Sequence, residues 1–292
     1  MKKFLTAVMV ILGATVALTA CSGNNDDNTN DASNSNFNTN REIIVVTREA
    51  SSGTRSAFVE IADVTDNGND AISVDAYVAN GTSLVLTTVA GNEYAIGYVS
   101  MGSLNNTVRA LDVNGIVANE ANIVNNTYTL FRPFYVAVQD NLDPLSQTFV
   151  DFILSAEGQE IVSGSYIASV ENAPAFAGTN LTGTIEVSGS TSVAPIMTRL
   201  AEAFTALTGI NVDIQSQGST AGINQARDGS VPIGMSSREL TATELVDVNA
   251  IAIAFDGLAI IVHPNNPITD ISIETVREIF LGNETRWSGV IN

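Results

Sequence analysis

From Arg41 onward the apolar positions follow two alternating rhythms. Short runs rich in apolar residues, Ile43-Ile44-Val45-Val46, Ala95-Ile96-Gly97-Tyr98-Val99, Thr184 to Val187, Val212 to Ile214, Ile251 to Phe255 and Leu258 to Val262, predict strands. The first has the unbroken apolar character of a strand covered on both faces. Between these runs the spacing changes to three and four residues. Val193, Ile196, Met197, Leu200 and Phe204 form one such stripe, and Phe149, Phe152, Ile153 and Ile161 another over a helix spanning Phe149 to Val162. Arg55 to Ile61 and Ile273 to Phe280 predict two more helices. Strands and helices alternating at these lengths predict an α/β architecture with largely parallel sheets.

Three strand-to-helix turns are rich in hydroxyls and small residues: Ser51-Ser52-Gly53-Thr54, Ser190-Thr191-Ser192 and Ser219-Thr220. Each alone reads as a helix cap, because Ser and Thr satisfy the free amides of a first turn. Three together point to a second use. Helix N-termini offer unpaired N–H groups and the positive end of the helix dipole, a ready seat for a small oxyanion. Arg48, just ahead of one turn, adds a cation able to make charge-assisted hydrogen bonds.

Composition narrows the partners. The 292 residues include 31 acids against 12 basic residues, a net charge of −19, and both lysines, Lys2 and Lys3, lie at the extreme N-terminus. Such a polyanion lacks the basic patches that nucleic acid demands. One cysteine excludes a disulfide framework and a cysteine-based metal cluster, and one histidine, His263, weakens histidine-centred catalysis. Met1-Lys2-Lys3 followed by the apolar stretch Phe4 to Leu18 predicts a secretory signal over residues 1–20. It ends Leu18-Thr19-Ala20-Cys21, which resembles a bacterial lipobox and implies lipidation of Cys21. Residues 21–40, the cysteine and a tract dominated by Asn, Asp, Ser and Thr, predict a flexible tether. The expected location is the extracytoplasmic face of a cell membrane, held by lipid.

Several longer blocks carry more specific information. They include Ser188-Gly189-Ser190-Thr191-Ser192-Val193-Ala194-Pro195, Gly218-Ser219-Thr220-Ala221-Gly222, Ile233-Gly234-Met235-Ser236-Ser237-Arg238-Glu239-Leu240 and Asp256-Gly257-Leu258-Ala259. With Ile279-Phe280-Leu281-Gly282, Arg48-Glu49-Ala50-Ser51-Ser52-Gly53-Thr54-Arg55 and Ala95 to Ser100, these blocks together resemble the phosphate-binding protein of bacterial ABC phosphate transporters over nearly all of 41–292. The order is reversed: 41–180 resembles the family's second half and 183–292 its first, the mark of a circular permutation, the alternative being a truncated or chimeric frame that stitches halves of two tandem copies. The resemblance implies a two-lobed periplasmic-binding-protein clamshell of type II, with 41–132 plus 257–292 as one lobe and 133–256 as the other. It implies an anion held by Thr191, Ser192, Ser219 and Ser237 from one side and by Arg48, Ser52, Gly53 and Thr54 from the other. Arg55 would brace rather than bind. Many family members carry an aspartate where Ser237 stands, so the resemblance implies weaker rejection of sulfate unless Asp256 or Glu49 substitutes.

The resulting expectation is a monomeric lipoprotein that binds inorganic phosphate and passes it to an ABC transporter permease, with no cofactor, metal or nucleic acid. The alternatives are a receptor for another tetrahedral oxyanion such as sulfate or molybdate, and a phosphate-sensing surface protein without transport. A serine hydrolase is the rival of another class. It lacks a Gly-x-Ser-x-Gly elbow, and His263 reads as a turn residue outside the cleft.

Overall fold

The computed structural model describes residues 37–291; the signal, Cys21 and most of the tether lie outside the described residues. Strands and helices alternate as the apolar pattern predicts. They are β1 (Ile44–Arg48), α1 (Gly53–Ile61), β2 (Tyr77–Ala79), α2 (Thr82–Ala90), β3 (Ala95–Ser100) and β4 (Phe131–Val138). After these come α3 (Pro144–Ile153), α4 (Ala156–Ser163), β5 (Thr184–Gly189), α5 (Ala194–Thr208) and β6 (Asn211–Ser216). The series ends with α6 (Ser219–Asp228), β7 (Ile233–Ser236), β8 (Asn249–Val262) and α7 (Ile273–Leu281).

These strands join in the order β6-β5-β7-β4-β8-β3-β1-β2. The flanks are parallel, as expected: β5 with β6 and β7, and β1 with β2 and β3. The middle is not. β4 runs antiparallel to both β7 and β8, and β8 runs antiparallel to β3, so the sheet is mixed rather than largely parallel.

The two apolar runs 251–255 and 258–262 form one strand, β8, instead of two. Asp256-Gly257 does not break it, because the Asp256 carboxylate is buried with partners: it accepts from Ser100 Oγ at 2.7 Å and from Arg132 Nη2 at 3.3 Å. Residues 249–257 pair with β4, and 258–262 pair with β3. β8 therefore threads both halves of the sheet.

The helix expected over 149–162 is also corrected. It is two helices, α3 and α4, divided at Leu154-Ser155. Ser155 Oγ donates to the Phe152 carbonyl at 2.7 Å and accepts from the Gly158 amide at 3.2 Å, closing one helix and capping the next. β1 lies slightly downstream of the expected run. Ile44 is 37% exposed, so the strand is not covered throughout, whereas Val46, Thr47 and Arg48 are buried.

Each half of the sheet has its own apolar core. Phe58, Tyr98 and Phe280 meet beneath β1 and β3, with the Phe58 and Tyr98 rings stacked at 4.0 Å. Phe149, Phe152 and Phe204 pack with Ile196, Met197 and Leu200 under β4, β5 and β7. The segment at Arg41–Ile43 is tied to 285–287. The Ile43 amide donates to the Thr285 carbonyl at 2.8 Å and the Trp287 amide to the Arg41 carbonyl at 3.2 Å.

Candidate functional site

The three hydroxyl-rich turns converge, and they do so across the two halves of the sheet. Arg48 ends β1 and is 2% exposed. Its Nε and Nη2 donate to the Glu49 carboxylate at 2.8 and 2.7 Å. Nη2 also reaches Thr191 Oγ1 at 2.9 Å on the other half, and Nη1 reaches Thr82 Oγ1 at 3.3 Å. Thr54 Oγ1 lies 2.8 Å from Ser192 Oγ and 3.4 Å from Ser237 Oγ. The Thr220 amide donates to the Ser51 carbonyl at 3.2 Å, a further link between the turns.

Local geometry explains why these residues meet. Gly189 ends β5 with φ of +138°, and a Cβ there would run into the backbone of Met235. Its carbonyl accepts the Gln217 and Gly218 amides at 2.8 and 2.9 Å, which brings the Ser219 turn beside the Ser190 turn. Gly53 is needed for a different reason. A Cβ at this position would collide with Ser219 Oγ and lie 2.9 Å from Ser237 Oγ. Only glycine allows the Ser52-Gly53-Thr54 turn to approach the opposite hydroxyls this closely.

The direction of several hydrogen bonds follows from valence. Ser190 Oγ accepts the Ser192 and Val193 amides, at 3.2 and 3.3 Å, so its own hydrogen goes to Ser237 Oγ at 2.9 Å. Ser237 then keeps its own hydrogen and one lone pair. Ser219 Oγ accepts the Ser237 amide at 3.1 Å and lies 3.3 Å from Ser237 Oγ. Ser52 stands apart from this network, its hydroxyl accepting the Arg55 amide at 3.3 Å as the cap of α1. Ser52, Thr54, Ser190, Ser192, Ser219 and Ser237 are all buried.

Four helices, α1, α2, α5 and α6, begin at this cluster with Gly53, Thr82, Ala194 and Ser219. Their positive dipole ends, with the Arg48 guanidinium, make a positive focus in a strongly acidic chain. Glu49 balances the cation. Burial pushes its carboxyl up, but hydrogen bonds from Arg48, the Arg48 charge and the Gly81 amide outweigh this and hold it below the ordinary carboxylate range. Glu49 therefore stays ionised at neutral pH.

Two residues here are not among the expected anion contacts. Thr82 starts α2 and bonds across the halves to Thr191 and Ser192, at 3.1 and 3.2 Å. Ser190 was read only as part of a turn, yet it orients Ser237. Asp256, considered as a substitute acceptor, is committed to Ser100 and Arg132 and bonds to none of the clustered hydroxyls. Arg55 donates to the Arg48 carbonyl at 2.9 Å and pairs with Asp70 at 2.5 Å, the bracing position. His263 lies in the turn after β8, where Nδ1 accepts the Asn265 amide at 3.0 Å.

A strand-and-helix frame in two halves, with buried hydroxyls from both meeting beside one arginine, fits a solute-binding protein. Residues 24–157 and 174–290 match the family model of the PBP superfamily domain, and the chain belongs to that superfamily and, within it, to the PstS phosphate-binding proteins. The phosphate-binding protein PstS 2 of Streptococcus agalactiae serotype V is 38% identical over 267 residues, 89% of this chain and 90% of its own. PstS 2 of Streptococcus pneumoniae serotype 4 is 36% identical over 295 residues, 99% of each chain. A crystal structure of a phosphate ABC transporter phosphate-binding protein from Streptococcus pneumoniae is similar at 37% identity with a TM-score of 0.69. The match covers 86% of this chain and all of that one.

Proposed function

We propose that this chain binds one inorganic phosphate between the two halves of its sheet and delivers it to the permease of an ABC transporter. The observation that carries this reading is the convergence on Arg48 of hydroxyls from opposite halves: Thr191 bonded to its guanidinium, and Thr54 beside Ser192 and Ser237. Phosphate oxygens would accept from Arg48, Thr54, Thr191, Ser192 and Ser219, with the Gly53 backbone close by. Ser52, its lone pair given to a helix cap, would add its hydroxyl hydrogen. Ser237 has one hydrogen to give and one lone pair open, so it can take the proton of hydrogen phosphate. The role is binding rather than catalysis, in keeping with relatives named as binding proteins.

The two lobes of the proposed clamshell are 41–132 with 257–292, and 133–256. Their boundaries fall where Arg132 pairs with Asp256 and Phe131 with Gly257, making β4 and β8 the strands that cross between lobes. The hydrogen bonds joining 41–43 to 285–287 support a circularly permuted order. So does a relative that aligns in this order over 99% of both chains, which disfavours an isolated stitched frame. In this reading the protein acts as a monomer, exported by residues 1–20 and anchored outside the membrane by lipid on Cys21.

Titration calorimetry of the purified full chain, dialysed free of anions, tests the function against phosphate, sulfate, molybdate and tungstate. One phosphate per chain, bound more tightly than the others, is the expected result. Tighter binding of sulfate or molybdate would move the reading to another oxyanion. No heat and no thermal stabilisation with any of them would overturn it.

A further inference from the structure

We propose that Thr82 is a further anion-contacting residue of this site, its hydroxyl held by Arg48 so that it donates to a phosphate oxygen. The inference rests on the phosphate reading above and extends it to a fifth segment of chain, the start of α2.

A guanidinium can only donate hydrogen bonds. Arg48 Nη1 donates to Thr82 Oγ1 at 3.3 Å, and Nη2 donates to Thr191 Oγ1 at 2.9 Å. Both threonine oxygens therefore turn a lone pair to Arg48, and both hydroxyl hydrogens are directed elsewhere. The two oxygens lie 3.1 Å apart, and only one hydrogen can occupy that line. Thr82 Oγ1 is also 3.2 Å from Ser192 Oγ, itself shared with Thr54 at 2.8 Å. Thr82 thus sits among the proposed anion contacts, its hydrogen turned towards Thr191 and Ser192, where an arriving phosphate oxygen would replace them as acceptor.

Its hydroxyl is not spent on capping a helix. Gly81 is the N-cap of α2 and no side chain caps that helix. The Gly81 amide is bound to Glu49 Oε2 at 3.1 Å, which ties the start of α2 to the ion pair that fixes Arg48. Thr82 is 6% exposed, so water competes little for the hydroxyl. A hydroxyl that donates to a charged oxyanion in a buried site contributes more than one bonded to a neutral partner.

The experiment compares Thr82→Val, Thr82→Ala and Thr82→Ser with the unaltered full chain by phosphate calorimetry, together with melting temperatures measured without phosphate. Val keeps the shape and removes the hydroxyl; Ser keeps the hydroxyl and removes the methyl. The expected result is a loss of phosphate affinity of about tenfold to hundredfold for Val and Ala. Ser should stay within about threefold of the unaltered chain, since it keeps the charge-assisted contact. Phosphate-free melting temperatures should not follow this order. Unaltered affinity in the Val and Ala variants overturns the inference, and so does a Ser variant as weak as they are. Failure of the unaltered chain to bind phosphate is read separately, and it removes the phosphate reading itself.

Discussion

Replacing Arg48 with Ala should cost far more phosphate affinity than replacing Arg55 with Ala. Arg48 is 2% exposed and donates to Glu49 twice, to Thr191 and to Thr82. Its loss removes, among the described residues, the only side-chain cation bonded to the hydroxyl cluster and leaves the Glu49 carboxylate, 17% exposed, beside the site with the Gly81 amide alone as partner. Truncating one member of a desolvated charge pair costs about 2–5 kcal/mol. That is a fall in affinity of roughly thirtyfold to several thousandfold. Arg55 contacts the cluster only through the Arg48 carbonyl, and its ion pair with Asp70 is partly exposed, 17% and 37% for the two side chains. Such a pair is worth about 0–1 kcal/mol, so Arg55→Ala should weaken binding by roughly fivefold or less. Calorimetry on both variants, with melting curves recorded in the absence of phosphate, reads the difference. Equal losses, or a larger loss for Arg55→Ala, would refute the assignment of Arg48 as the anion-binding cation.

Ser237→Asp should sharpen the preference for phosphate over sulfate. A carboxylate there would accept the phosphate proton and repel a fully deprotonated anion, and sulfate competition titrations that leave the ratio unchanged would count against Ser237 as the discriminating position. The Arg238–Glu244 pair behind that loop predicts an acid limit to stability. Hydrogen bonds from Arg238 bring the Glu244 carboxyl down to about 2 against burial that raises it. A depressed carboxyl contributes stability that is complete above its unfolded value and is lost as pH falls through the folded value. Melting temperature should therefore decline from about pH 4.5 towards pH 2, and Glu244→Gln should lower it at neutral pH while flattening that decline.

Much of the site was legible because its chemistry lies in turns with a repeated grammar: a strand, then glycine and hydroxyls, then a helix. Thr82 obeys the same grammar in Gly81-Thr82-Ser83 but escaped notice. The nine residues of α2, Thr-Ser-Leu-Val-Leu-Thr-Thr-Val-Ala, are rich in β-branched side chains and show no clear polar face. The packing of Val85 and Val89 with Val46 and Val99 of β1 and β3 decides the matter in favour of helix. No strand is proposed from the sequence at β4, where Pro133 argues against an interior position. It is tolerated opposite Phe255, at the stretch where β4 and β8 continue past the neighbouring β7 pairing. Asp256 misled in the opposite sense. A charged residue between two apolar runs resembles a break, and only the fold reveals that Arg132 and Ser100 wait beside it. Partners distant in sequence leave no local mark, so the central antiparallel pairings stayed hidden while the parallel flanks did not.

A crystal structure of the full chain grown with inorganic phosphate tests the central claim most directly. The account predicts one tetrahedral anion between the two halves, accepting hydrogen bonds from Arg48, Thr54, Thr191, Ser192 and Ser219, with Gly53 in contact. Phosphate bound elsewhere on the chain, with the hydroxyls of these residues still bonded to one another, would contradict it.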